Sequence, residues 1–120
     1  MNKELHIKLV ARLVADDHEG RFGPGIATLL EQVRNHHSLR SAAASMGMAY
    51  SKAWRIIRAA ESTFDCKFLE STIGGKGGGG AVLTPEAERL LNAYQSYVAD
   101  LNDYAQKKFE ETFSFLNTTE

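Results

Sequence analysis

The 120-residue sequence predicts a mainly α-helical protein with a small β component, on three observations. Apolar residues recur at three- and four-residue steps over most of the chain, which is the spacing of amphipathic helices. Near the N-terminus they alternate with polar residues, as in a half-buried strand. Six glycines within residues 74–80 separate two short apolar runs, which indicates a hairpin with a long tip.

The N-terminal alternation predicts a strand pair. In "HIKLVARLVA", Ile7, Leu9 and Leu13 fall on one side of a strand, and Lys8 and Arg12 fall on the other. "DDHEG" has the composition of a turn, and "RFGPG" follows as a short return strand that its proline interrupts.

Three helical patterns follow the strand pair. "IATLLEQVRNHH" predicts the first helix, Ser38 is the predicted N-cap of the short "LRSAAASMG" element, and Gly47 ends that element. Residues 49–64 predict a third helix. Its inner face consists of Ala53, Ile56, Ile57, Ala60 and Phe64. Small Ala43, with Gly47 four residues later, is typical of a helix-turn-helix. With the hairpin tip at residues 73–80 as a wing, the expected fold is a winged helix-turn-helix.

A single long helix is predicted at the end of the chain. Thr84 is its predicted N-cap, Pro85 lies in its first turn, and apolar residues continue at helical spacing as far as Leu116. A helix of about 30 residues carries more apolar surface than so small a domain covers, so its distal part is expected to pack against a second copy. The alternatives are a helix folded back on its own domain and one broken near Asn102 or Asn117.

Charge is segregated along the chain, although the net charge is −1. Residues 34–83 carry seven Lys or Arg against three Asp or Glu, whereas residues 84–120 carry three against seven. This distribution favours one face for a polyanion and another face turned away from it. A total charge near zero argues against non-specific polyanion binding by the whole surface.

Because apolar residues fix the inner face of the third helix, its basic and polar residues lie on the opposite side. Side chains of these kinds suit the major groove of DNA. Arg55 lies centrally on it and is the candidate base reader, whereas Arg58 lies nearer the C-terminus and suits a phosphate or an ion pair. Trp54 is either a partner contact or a core residue. The candidate DNA-contacting residues are Ser38, Arg40, Tyr50, Ser51, Lys52, Trp54, Arg55, Arg58 and Lys76.

Other functional classes find little support in the sequence. The glycine tract satisfies a dinucleotide pattern trivially, and as a phosphate loop it lacks Ser or Thr after Lys76. The four histidines lack metal-ligand spacing and no nucleophile–base pair stands out, so neither an enzyme nor a metal or cofactor is expected. Cys66 is expected to be a buried or half-buried apolar residue, and a lone cysteine fits a reducing cytoplasm. No apolar stretch approaches a membrane span, and the N-terminus does not resemble a secretory signal.

Three stretches, "GMAYSKAWRII", "GGKGGGG" and "LTPEAERLL", together resemble the N-terminal DNA-binding domain of the molybdate-responsive regulator ModE. That domain is related to the winged helix-turn-helix of LysR-type regulators, and the similarity covers essentially the whole chain. The resemblance implies a homodimer on double-stranded DNA, held by the N-terminal elements and the last helix. The third helix would lie in a major groove with the wing beside it. The expected division is a DNA-binding domain at residues 1–84 and a dimerisation helix at residues 85–120.

Two departures from the ModE pattern are visible. A Ser or Thr that binds phosphate usually precedes the recognition helix; Ala49 stands there, and Ser51 is its candidate replacement. Members that sense molybdate carry ligand-binding domains after the long helix, and this sequence stops at Glu120, so no molybdate site is expected in it. The expected function is a transcription regulator that reads a palindromic operator. The alternative is a protein-interaction module on the same scaffold, which the near-neutral charge and Trp54 keep open.

Overall fold

The computed structural model describes residues 4–72 and 80–117, which form four α-helices and a two-stranded sheet. In chain order these are α1 (Pro24–His36), α2 (Leu39–Ser45), α3 (Tyr50–Phe64), β1 (Leu69–Thr72), β2 (Gly80–Leu83) and α4 (Pro85–Thr112), followed by a 3-10 turn at Ser114–Asn117. The predicted fold class is confirmed, because the helix-turn-helix, the hairpin that follows it and the long last helix are all present.

The helix ends lie where the capping residues predict them. The Ser38 hydroxyl accepts a hydrogen bond from the Ser41 N–H at 3.0 Å, and the Thr84 hydroxyl accepts one from the Ala87 N–H at 3.1 Å. Gly47 adopts a φ of +65°, a conformation that glycine takes without steric penalty, and this turns the chain from α2 into α3.

One hydrophobic core joins α1, α2, α3, the hairpin and the first turns of α4. Ala43 is only 1% exposed where α2 meets α3, and Ala53 and Ala60 are fully buried on α3, so small side chains allow the helices to approach closely. The ring of Phe22 makes edge contacts with three other rings of the core. The largest fully buried side chains are Phe22, Phe68, Leu29, Leu30, Ile57, Leu91 and Val33.

The hairpin forms the predicted wing. β1 and β2 are antiparallel, with Leu69 opposite Leu83 and Thr72 opposite Gly80. The Ala81 N–H also donates to the His37 carbonyl oxygen at 2.9 Å, which ties β2 to the corner between α1 and α2. The tip of the hairpin, including Lys76, lies outside the described residues.

The predicted N-terminal strand pair is reduced to a single antiparallel bridge between Leu13 and Phe22. The physical reason is that α1 begins at Pro24, so the return segment is too short to pair with more than one residue. The predicted inward residues Ile7, Leu9 and Leu13 are 38%, 39% and 44% exposed, so the prediction of a half-buried strand is wrong as well. The segment lies beside α4, where the Ile7 N–H donates to Gln106 and the Tyr94 hydroxyl donates to the Ala11 carbonyl oxygen.

α4 is a continuous helix of 28 residues and passes through Asn102 without a break. The alternative of a helix broken at that point is therefore wrong. Its first turns belong to the core through Ala87 and Leu91, but Tyr97 and Tyr104 farther along are 65% and 66% exposed. We call residues 20–72 and 80–94 the head, and residues 4–16 and 95–117 the arm.

Candidate nucleic-acid interface

The side of α3 that faces away from the core carries polar and basic residues. Ala53, Ile57 and Ala60 are buried, and the helical period places Ser51, Arg55 and Ser62 on the opposite side, where all three are exposed. We call these last three residues the outward line. Arg55 is at its centre, as predicted. Ser62 was missed, although its spacing of seven residues from Arg55 is visible in the sequence.

Two further sets of residues flank the outward line. Lys52 is exposed on one flank, next to the half-buried Ile56. Tyr50, Trp54 and Arg58 form the other flank at four-residue steps. Trp54 is half-buried and packs against the core, so the reading of this side chain as a core residue fits better than that of an exposed partner contact.

Two of the predicted arginines lie over aromatic rings. The guanidinium carbon of Arg40 is 4.1 Å from the centre of the Tyr50 ring, and that of Arg58 is 5.0 Å from the Trp54 ring. The rings of Tyr50 and Trp54 meet edge to face at 6.4 Å. The four-residue spacing could have revealed the contacts within α3, but no local pattern connects Arg40 to Tyr50 because they lie on different helices.

Carboxylates are turned away from the outward line. The single acidic residue of α3 is Glu61, and its side chain accepts a hydrogen bond from the Phe68 N–H at 2.8 Å. Arg34, counted with the basic middle of the sequence, instead bridges α1 to α4, 2.5 Å from Glu88 and 3.3 Å from Asn92. The basic surface is thus narrower than the sequence suggested, and it is centred on α3.

The remaining predicted contacts differ in how they are placed. Ser38 is half-buried, and its hydroxyl oxygen is occupied as the cap of α2. Ala49 precedes α3 without a side-chain cap, whereas Ser51 is exposed as the second residue of the helix. Lys76 lies beyond the part of the chain that the structure describes.

Sites of other kinds are not evident in the described part of the chain. Within residues 4–72 and 80–117, no group of three or more His, Cys, Asp or Glu side chains is placed to hold a metal ion. Burial raises the pKa of the half-buried Cys66 thiol, and the neighbouring Glu86 carboxylate raises it further, so the unreactive thiol form is favoured. None of the helices found in the described residues is long and apolar enough to span a bilayer.

Comparison with known proteins identifies similar chains. The model of the lysR family of bacterial regulatory helix-turn-helix proteins matches residues 27–88, from α1 to the start of α4. The chain is 37% identical over 90 residues to the transcriptional regulator ModE of Yersinia pestis, covering 75% of this chain and 32% of that protein. It is 34% identical over 90 residues to the DNA-binding transcriptional dual regulator ModE of Escherichia coli K12, with the same coverage.

A third similar protein is named for a different function. The molybdenum-pterin-binding protein MopB of Rhodobacter capsulatus is 36% identical over 74 residues, covering 62% of this chain and 27% of that protein. The chain thus spans less than a third of the length of these curated relatives.

Proposed function

Because the chain belongs to the lysR family of bacterial regulatory helix-turn-helix proteins, we propose that it is a sequence-specific DNA-binding transcription regulator of the ModE type. In this proposal it acts in the cytoplasm as a homodimer and not as an enzyme. α3 lies in the major groove of each half-site of a palindromic operator, and the wing lies on the adjacent backbone or minor groove.

The outward line of α3 is the observation that carries this proposal. Arg55 is exposed at its centre, and its forked guanidinium can donate two parallel hydrogen bonds to the O6 and N7 atoms of a guanine. Ser51 and Ser62 are short enough to let the helix approach base edges. Since the carboxylate of α3 is turned inward, the surface repels no phosphate at this point.

The arm supports the dimer. Tyr97 and Tyr104 are seven residues apart, which is two helical turns, and both are about two-thirds exposed on the same side of α4. Val10 and Val14 of the N-terminal segment are also exposed. Apolar side chains gathered along one elongated feature are typical of a protein–protein contact. We therefore propose that the segment at residues 85–120 dimerises through α4, which the structure shows at Pro85–Thr112, and that the N-terminal segment contributes to the same contact.

The alternative of a protein-interaction module loses one of its two supports. It relied on an exposed Trp54, and that ring is half-buried with the Arg58 guanidinium above it. The near-neutral net charge still favours it. The two proposals differ in salt dependence, because binding to DNA releases counterions from the phosphates that the protein neutralises.

Fluorescence anisotropy with a labelled duplex of about 30 base pairs, three helical turns, tests the proposed function. The logarithm of the affinity should fall linearly with the logarithm of salt concentration, by roughly 0.9 for each phosphate neutralised. Arg55→Ala should remove about 1–3 kcal/mol of the preference for a selected duplex over a scrambled one. Arg21→Ala in the head is the matched control, since it also removes one exposed positive charge and Arg21 is not among the candidate DNA-contacting residues.

Affinity that does not depend on salt would contradict DNA binding and favour the protein-interaction module. Equal discrimination by the wild type and by Arg55→Ala would contradict the assigned role of α3. A loss of the same size in Arg21→Ala would attribute the effect to net charge and not to base reading.

A further inference from the structure

A row of alternating cations and aromatic rings runs along one edge of the candidate interface. The guanidinium of Arg40 covers the Tyr50 ring at 4.1 Å, the Tyr50 and Trp54 rings meet at 6.4 Å, and the guanidinium of Arg58 lies 5.0 Å from the Trp54 ring. We call these four residues the stacked row. Its two ends are positively charged and its middle is aromatic.

The stacked row is fixed to the fold at two places. Trp54 is half-buried against the core, so its ring has a defined position. Arg40 belongs to α2 whereas the other three residues belong to α3, so the row crosses from one helix to the next. At about 100° per residue, Tyr50 and Trp54 lie beside the outward line, and Arg58 lies at its border, about 60° around the helix from Arg55.

Stacking changes what an arginine can do. A ring that covers one face of a guanidinium leaves the N–H groups at its edge free to donate, and it holds them in one orientation. An arginine ordered in this way loses less conformational entropy when it binds, and its planar fork matches the oxygens of a phosphate. Arg55, on the outward line, has no ring partner among the described residues.

We infer that Arg40 and Arg58 bind backbone phosphates at the two ends of the stacked row, that Tyr50 and Trp54 are positioning residues for them, and that Arg55 is left to read bases. This inference rests on the proposed DNA-binding function and adds a division of labour within it. Phosphate contacts set the register and orientation of a protein on the duplex, whereas contacts to base edges discriminate between sequences.

A double-mutant cycle on Arg40 and Tyr50 tests the inference. The probes are a duplex enriched from a random pool by this protein and a scrambled duplex of equal length, both titrated across a salt series. Arg40→Gln should weaken binding to both duplexes alike, by roughly tenfold. It should also reduce the salt slope by about 1.8, because each of the two subunits of the proposed homodimer loses one phosphate contact. Arg21→Gln, the matched control in the head, is exposed and is not among the candidate DNA-contacting residues, so it should change neither the affinity nor the slope.

Tyr50→Leu retains every charge, so any effect on phosphate binding must come through the orientation of Arg40. It should weaken binding roughly two- to fivefold when Arg40 is present and should have no effect when Arg40 is already glutamine. Tyr50→Phe retains the ring face and should bind as the wild type does. Because the Tyr50 side chain is 36% exposed, its substitution should leave the fold intact. Thermal unfolding of each variant verifies this.

Several results would overturn the inference. Additive losses in the cycle would mean that Tyr50 acts independently of Arg40. A change in discrimination without a change in salt slope would make Arg40 a base reader. If Arg40→Gln has no effect while Arg55→Ala abolishes discrimination, the inference fails and the proposed function stands. If the wild type binds neither duplex in a salt-dependent manner, both fail.

Discussion

The head and the arm differ in how far their apolar side chains are buried. In the head, Phe22, Leu30 and Ile57 are completely buried by residues of the same chain. In the arm, Tyr97 and Tyr104 are about two-thirds exposed, and so are Val14 and Phe115. The helical spacing of apolar residues is equally regular in both regions. Periodicity therefore predicts that a helix has an apolar face, and the amount of chain packed around the helix determines whether that face is covered.

This contrast assigns different consequences to changes in the two regions. A substitution in the head acts on the free energy of unfolding of one chain, because the packing partners are intramolecular. A substitution on the exposed face of the arm acts on association with a second copy, and it leaves the stability of the single chain nearly unchanged. The predictions below test this separation.

A large loss of stability is expected from a substitution at Gly20 in the head. A β-carbon at this position would lie 2.0 Å from the Ala59 carbonyl oxygen and 2.6 Å from the Thr63 hydroxyl oxygen on α3. The first of these is a backbone atom, so α3 itself would have to move. Gly20→Ala should lower the free energy of unfolding by about 3 kcal/mol, at the upper end of overpacking effects. Urea denaturation monitored by circular dichroism measures it.

Gly25 is the matched control, because a β-carbon there has no neighbour within 4 Å and the residue lies in the first turn of α1. Gly25→Ala should be neutral or stabilise the protein by up to about 1 kcal/mol, since alanine favours a helix more than glycine does. If both substitutions have the same effect, the close packing of Gly20 on α3 is not a determinant of stability.

A second prediction compares the arm with the head directly. Tyr97→Ser with Tyr104→Ser should raise the dimer dissociation constant at least tenfold, because both rings lie on the exposed face of α4. Sedimentation at micromolar concentration measures this shift. Ile57→Ala, which removes a fully buried side chain, should destabilise the chain by about 2–5 kcal/mol. A wild-type chain that sediments as a monomer would remove the proposed role of the arm.

The smallest effect is expected where the head meets the arm. The Tyr94 hydroxyl donates to the Ala11 carbonyl oxygen at 2.8 Å, and its ring lies 5.2 Å from that of Phe22. Tyr94→Phe retains the ring and removes the hydrogen bond, so it should lower stability by about 1 kcal/mol. Faster amide hydrogen exchange in residues 4–12, with no change in α1, would verify that the loss is local.

The same contact has a pH dependence with a defined sign. Burial raises the pKa of Tyr94, while the neighbouring Arg12 lowers it. The neutral hydroxyl is the donor, so the bond is fully present below the ordinary pKa of 10.0 and is lost as the pH rises through the raised value. Exchange that is independent of pH in this range, after correction for intrinsic rates, would contradict the role of Tyr94.

Local chemistry explains which features could be predicted from the sequence. The caps Ser38 and Thr84 and the turn at Gly47 depend on neighbouring residues, and they lie where they were predicted. On the predicted inner face of α3, Ala53, Ile57 and Ala60 are buried, whereas Ile56 and Phe64 are only half-buried. The N-terminal strand pair was wrong in extent, because alternation indicates an apolar side but does not provide a partner strand. The length of the return segment before Pro24 decided the outcome.

In the candidate site too, the features set by local geometry could be predicted and the long-range contacts could not. The outward line follows from helical geometry, so the position of Arg55 could be anticipated. The pairing of Arg34 with Glu88 and the stacking of Arg40 on Tyr50 could not, because each joins residues far apart in the sequence. From composition alone, Arg34 and Arg40 would be counted in the same basic surface. The two contacts separate them, because Arg34 pairs with a carboxylate and Arg40 lies over an aromatic ring.

Selection of bound sequences from a random pool of duplexes tests the central claim most directly. A homodimeric, sequence-specific regulator should enrich a motif with two inverted half-sites, whose centres are about one helical turn or a multiple of it apart. The Arg55→Ala variant should enrich a less defined motif from the same pool. Recovery of no shared motif by the wild type would contradict the account, and a motif without two-fold symmetry would contradict the dimer.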